Sequence, residues 1–249
     1  MNKIFTSIFL VVSFIFSATG NTGKYSSTAL LHLIKSYPLQ ISAASDISFG
    51  KNYNSLWIVS DIPGSNIFEV DLEGNLIQTI KFNGADLEGI AYDHHHDVLW
   101  VVEERKRELI KISPAGTELE RRPINITGKP NSGLEGITID STDHIWIANE
   151  KKPAQLLLLN PDFSIKERVE IGSAKDLSGL CWDPHLDALW IVSDESKLLI
   201  HWQKTSGVLQ EFNLPFKKAE GIAVHPRTNQ IYIVSDKINK LFLFEINKK

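Results

Sequence analysis

The sequence predicts an all-β protein, a five-bladed β-propeller of four-stranded antiparallel blades, on three observations. A unit of about 44 residues recurs five times between Ser45 and the C-terminus, a period that belongs to solenoids and propellers. Each unit divides into four short stretches rich in Val, Ile, Leu, Trp and Tyr, separated by turn residues. No long helical period appears after the N-terminal segment, so four strands per unit describe blades set around an axis.

The clearest copies are Asp86-Leu-Glu-Gly-Ile-Ala-Tyr92 with Val98–Glu104, and Gly133-Leu-Glu-Gly-Ile-Thr-Ile139 with Ile145–Glu150. Two more are Asp176-Leu-Ser-Gly-Leu-Cys-Trp182 with Ala188–Asp194, and Lys218-Ala-Glu-Gly-Ile-Ala-Val224 with Ile231–Asp236. The first copy is worn, reading Ser45-Asp-Ile-Ser-Phe49 and Ser55–Asp61. Within the second copy the strands are expected at Glu88–Tyr92, Val98–Glu103, Glu108–Ser113 and Glu118–Ile126. An aromatic column, Trp57, Trp100, Trp146, Trp190 and Tyr232, recurs once per copy and is predicted to fill the wedge between neighbouring sheets. Trp182 and Trp202 stand outside it, open to either the core or a pocket wall.

The ends of the chain predict how the ring closes. After Asp236 there is room for only one more strand, Lys240–Ile246, so the last blade lacks its fourth. Residues 30–39 resemble the fourth strands elsewhere, Leu76–Phe82 and Val208–Leu214. Pairing them with the C-terminal strand would leave no open edge at the seam. The propeller is thus expected over 30–249, preceded by a flexible leader over 21–29, rich in Ser, Thr and Gly.

The chain has 249 residues, 43% of them hydrophobic, enough for a sizeable core. A net charge of -4 supplies no basic stripe for phosphate backbones, so nucleic acid is not an expected partner. Met1-Asn2-Lys3 precedes an apolar run from Ile4 to Phe16, with small residues at Ala18-Thr19-Gly20. The run is shorter than the roughly 20 residues that span a bilayer. Residues 1–20 therefore read as a cleaved signal peptide, with an uncleaved anchor as the alternative and the only expected membrane contact. The chain's one cysteine, Cys181, has no partner for an internal disulfide and is expected to be buried and unreactive.

Two columns of the repeat carry chemistry that packing does not demand. Ser45, Glu88, Glu135, Ser178 and Glu220 open the innermost strand, and Asp61, Glu104, Glu150, Asp194 and Asp236 close the next. Antiparallel neighbours bring the start of one beside the end of the other, so eight carboxylates are expected at one mouth of the axial channel. The glycines after each glutamate, 89, 136 and 221, leave space where backbones crowd the axis. Crowded carboxylates need a cation, protons or good solvation. Glu88, Glu135 and Glu220, with the two serine hydroxyls, offer the oxygen-only set that calcium favours. Alternatively Arg105, Lys106, Lys151, Lys152, Lys197 and Lys237 pair with the acids as a rim of salt bridges, or the outer acids end their strands by bonding turn backbone.

His94-His95-His96 sits in a turn on the opposite face, where adjacent side chains diverge and do not converge on one metal. No G-x-S-x-G elbow, Walker loop, G-x-G-x-x-G fingerprint or C-x-x-C pair is present, so covalent catalysis has no candidate nucleophile.

The ordered run Asp-Leu-Glu-Gly-Ile (86–90), Gly-Leu-Glu-Gly-Ile (133–137), Asp-Leu-Ser-Gly-Leu (176–180) and Lys-Ala-Glu-Gly-Ile (218–222) resembles the SdiA-regulated domain family, the YjiK-like exported propellers of bacteria. The resemblance covers residues 28–246 and implies a five-bladed propeller of the periplasm or cell envelope. The function expected on this basis is a binding or scaffold module, with calcium, a small ligand or an envelope protein at the acidic mouth. The Asp-Leu-Glu-Gly-Ile string is also similar to motifs of calcium-dependent propeller hydrolases, the esterase-like phytases and the gluconolactonase and paraoxonase group. That likeness implies the alternative, an esterase, lactonase or phytase-like enzyme, from whose ring Ser45 and Ser178 depart.

Overall fold

A computed structural model describes residues 29–128 and 132–247, all in one ring of strands. The expected signal and nearly all of the leader lie outside the described residues. The chain enters through β1 (Leu30–Pro38). Blade 1 follows as β2 (Ala44–Phe49), β3 (Ser55–Ser60), β4 (Ser65–Asp71) and β5 (Leu76–Gly84). Blade 2 is β6 (Leu87–Asp93), β7 (Val98–Glu103), β8 (Glu108–Ile112) and β9 (Glu118–Pro123), and blade 3 is β10 (Leu134–Ile139), β11 (Ile145–Asn149), β12 (Gln155–Leu159) and β13 (Ile165–Glu170). Blade 4 is β14 (Leu180–Asp183), β15 (Ala188–Ser193), β16 (Leu198–Gln203) and β17 (Gly207–Asn213). Blade 5 holds β18 (Ala219–Val224), β19 (Ile231–Ser235) and β20 (Lys240–Asn247).

The seam forms as the sequence predicts. β1 pairs antiparallel with β20, Leu31 opposite Ile246 and Tyr37 opposite Leu241, so the last blade takes its outer strand from the start of the fold. The expected strand over 118–126 ends early, at Pro123. Proline has no N–H for the ladder, and the next N–H, of Ile124, turns away to Arg107 O (2.8 Å).

β18 packs on β2, β2 on β6, β6 on β10, β10 on β14 and β14 on β18, closing a ring of inner strands. Five hydrophobic clusters fill the five gaps between blades, and each holds one member of the aromatic column. Trp57 packs with Ile90 and Leu99 of the next blade, and Tyr232 with Ile47 and Leu56 across the seam. Trp202 joins this core beside Trp146, with ring centroids 6.2 Å apart. Repeated turn chemistry sets the ends of the inner strands: Asp93, Asp140 and Asp183 each accept backbone N–H groups two residues on, and Asp97, Asp187 and Asn229 close the turns in the left-handed region.

Near the axis the inner backbones nearly touch. A Cβ on Gly89 would lie 2.3 Å from Glu135 O, and one on Gly221 would lie 2.4 Å from Asp46 Cα; Gly136 and Gly179 are equally confined. Four blades therefore carry glycine at this waist. The worn first copy carries Asp46.

Candidate functional site at the acidic mouth

Inner strands begin at one face of the ring, and the turns after the second strands return to it. Ser45, Glu88, Glu135, Ser178 and Glu220 accordingly surround the axis, and Asp61, Glu150, Asp194 and Asp236 stand around them in a well of about 160 Å³. Glu104 is buried beside this well, grouped with Glu135 and Glu150 on one side and with Asp86 and Glu88 on the other. The outer acids fall one residue beyond their strands, where Glu104, Asp194 and Asp236 open tight turns. Two of them bond the backbone of the next blade and not that of their own turn: Glu104 Oε1 accepts from Gly133 N–H (2.9 Å) and Asp194 Oδ1 from Lys218 N–H (2.5 Å), each tying one blade to the next.

The expected rim of salt bridges is partial. Arg105 meets Asp86 (2.8 Å), Lys106 meets Glu103 (3.0 Å), and Lys151 bridges Glu150 and Glu195. Lys152, Lys197 and Lys237 make no ion pair among the described residues. Lys218, which the sequence did not single out, reaches Glu220 (3.3 Å) and Asp194 (3.5 Å). The pairing is therefore uneven: bases reach Asp86, Glu103, Glu150, Asp194, Glu195 and Glu220, while Glu88, Glu104 and Glu135 have no basic partner among the described residues. The carboxylate oxygens that lie within 4.8 Å of one another form three groups: Asp86, Glu88 and Glu104; Glu104, Glu135 and Glu150; and Glu150, Asp176 and Glu195. Glu220 belongs to none of them, so the structure shifts the tightest clustering from the expected Glu88, Glu135 and Glu220 toward Glu104.

Burial first, and then the crowding of like charges, shifts these acids toward their protonated forms. Burial, followed by the charges of Asp61, Asp86 and Glu104, raises Glu88 well above the usual range. Burial and then Glu88, Glu150 and Glu220 do the same to Glu135. Burial lifts Glu104 to about 7 despite the Gly133 N–H, and lifts Glu220 to about 7 despite Lys218. Burial also raises Asp61 and Asp236, and Asp236 Oδ1 is enclosed with no hydrogen-bond partner among the described residues.

Asp46 closes the well from below. Fully buried, it accepts from Ile47 N–H (2.9 Å) and Ile90 N–H (3.0 Å), with Ile137 and Ile222 N–H also facing it. Only a side chain with acceptor oxygens satisfies such a ring of donors on the axis. Burial still outweighs them and pushes its carboxyl upward. Its signal was visible as the one departure from glycine in the repeat. Asp86 and Asp176, also buried at the mouth, open the repeated Asp-Leu-Glu-Gly and Asp-Leu-Ser-Gly strings.

A family model described as SdiA-regulated matches residues 33–245. The chain belongs to the SdiA-regulated family. Among solved structures it is similar to a glutaminyl cyclase from Myxococcus xanthus, at 14% identity and a TM-score of 0.71, covering 88% of this chain and 97% of that one. It is also similar to virginiamycin B lyase from Staphylococcus aureus, at 18% identity and a TM-score of 0.53, covering 85% of this chain and 69% of that one. At these identities the likeness concerns the fold alone. No curated protein matches by sequence.

Proposed function

We propose that this propeller is an exported, cell-envelope binding or scaffold module that holds a cation at its acidic mouth, on the side of blades 2 and 3. One observation carries the reading: Glu104 clusters with Glu88 on one side and with Glu135 on the other, and none of the three has a basic partner of its own among the described residues, so a cation would offset the charge of ionising them together. Calcium suits the donors, which are all oxygen, numerous and borne on several blades, because it takes six to eight oxygen ligands in flexible geometry. A small cationic ligand, or a lysine or arginine of an envelope protein, would satisfy the mouth by the same charge. The apolar segment of residues 1–20 supports export and is the only membrane contact this reading needs. Thermal unfolding against calcium concentration tests it: the midpoint should climb with calcium, and Glu135→Gln should abolish the climb. A midpoint indifferent to millimolar calcium in both proteins would remove the cation site.

A second reading, a calcium-dependent hydrolase of esters, lactones or phosphoesters, has one observation in its favour. Glu104 and Glu220 sit at about 7, where a carboxylate serves as general base near neutral pH. A calcium ion there would polarise the substrate carbonyl or phosphoryl group. Turnover of an ester, lactone and phosphoester panel that depends on calcium favours the enzyme, and a binding module turns over none.

A further inference from the structure

The inner strands end in a second well at the opposite end of the axis, a cup of about 290 Å³. We propose that this cup is a separate ligand site, taking a small uncharged molecule that carries a flat ring and a hydrogen-bond acceptor.

The floor supplies the donors. Ser48 Oγ accepts from Tyr92 N–H (2.9 Å) and Thr138 Oγ1 from Trp182 N–H (3.0 Å), bridges that tie neighbouring inner strands. Each hydroxyl proton is left without an acceptor among the described residues. Cys181, between them on the floor, is not in that position: its sulfur takes the Val224 N–H and donates to Trp182 O. It is half-buried in the cup, not deep in the core as its apolar strand predicts, and burial pushes its thiol up to about 12.

The walls supply the flat surface. Trp182 lines the cup, and the Tyr53 ring lies on His94 with centroids 4.4 Å apart and planes 23° from parallel. Tyr53 reaches that place at a cost, because it and Asn52 both lie in the left-handed region, with φ of 60° and 61°. For a bulky aromatic residue this conformation is an outlier that persists where the surroundings over-determine it, here the contacts of the Tyr53 ring with Phe49, His94 and His225. The loop Gly50–Asn54 that presents it replaces the short Asp-ended turn of blades 2, 3 and 4.

Charge selects the class of ligand. Acids ring the cup, but each is already engaged: Asp93 by the ring and backbone of His96, Asp140 by Trp146 Nε1 (3.0 Å), and Asp143 by His95 (2.8 Å). The three histidines of the turn thus diverge to separate partners: His94 to the Tyr53 ring, His95 to Asp143 and His96 to Asp93. A mostly apolar cup with paired rim charges and two free donors fits a neutral ring with one acceptor. Asp46 separates this cup from the acidic mouth, so the two wells are independent.

Benzamide, which has the ring and the acceptor without a charge, is the test compound, observed by saturation-transfer NMR on the intact protein. Saturation should reach its ring protons, with a weaker signal for benzoate and none for acetamide. Tyr53→Gly, whose backbone suits the left-handed region, should fold by circular dichroism and lose the transfer. The double variant Ser48→Ala, Thr138→Val should weaken binding about five-fold, the worth of one lost hydrogen bond. Glu135→Gln and added calcium should leave it unchanged, which separates this site from the mouth. Absence of transfer from benzamide, equal transfer in the folded cup variants, or displacement by calcium would overturn the proposal.

Discussion

Replacing Glu104 with glutamine isolates the electrostatic cost of the mouth. Held to about 7 against an ordinary 4.5, the Glu104 carboxyl disfavours the ionised fold by about 3 kcal/mol. Below pH 4.5 both folded and unfolded states keep the proton and nothing is lost. Between 4.5 and 7 the fold retains a proton that the unfolded chain releases, so this group's contribution to stability falls as pH rises, and above 7 the full cost stands. Glutamine keeps an acceptor for Gly133 N–H and removes the charge that also raises Glu88 and Glu135. In calorimetry with a chelator present, Glu104→Gln should melt about 6–12 °C above the wild type at alkaline pH, since each kcal/mol moves a chain of this size by a few degrees. At acid pH the two should coincide. A variant that melts below the wild type at alkaline pH, or one offset equally at both ends of the range, would refute the reasoning.

The axis and the seam give three more expectations. Gly89→Ala forces a Cβ to within 2.3 Å of Glu135 O and should cost more than about 3 kcal/mol in chemical denaturation, whereas Gly172→Ala, with open space around it, should be within about 0.5 kcal/mol of wild type. Asp46→Ala leaves the Ile47 and Ile90 N–H groups without their acceptor and should lower stability by about 1–3 kcal/mol for each group left unsatisfied; a neutral result would deny Asp46 its place at the waist. Deleting residues 1–39 exposes the β20 edge and the apolar Phe242 and Phe244 behind it and should give oligomers or aggregates in size-exclusion chromatography, while a monomeric, stable truncation would contradict the closure.

The blades were legible because the signals that specify them recur. The aromatic column appears five times and the glycine at the waist four times, and the position of Trp57 is read as easily from Trp190 as from itself. The seam was legible because a missing fourth strand and a spare one stand at opposite ends of the chain. Single departures were harder to read. Ser45-Asp46 looks like decay of Glu-Gly until the axis shows four backbone N–H groups around one carboxylate. Lys218 occupies the column where Asp86 and Asp176 stand, and only the fold shows it reaching across to Asp194 of blade 4 as well as Glu220 beside it. Tyr53 lies in a loop with no counterpart in the other blades, so no periodic argument locates it over the cup.

Anomalous diffraction from crystals grown in calcium and soaked in terbium would locate a cation at the mouth. A strong peak should lie at the mouth beside Glu104, next to Glu88 or Glu135, and be absent from Glu104→Gln crystals. Peaks confined to the outer surface, with those three side chains unliganded at neutral pH, would contradict it.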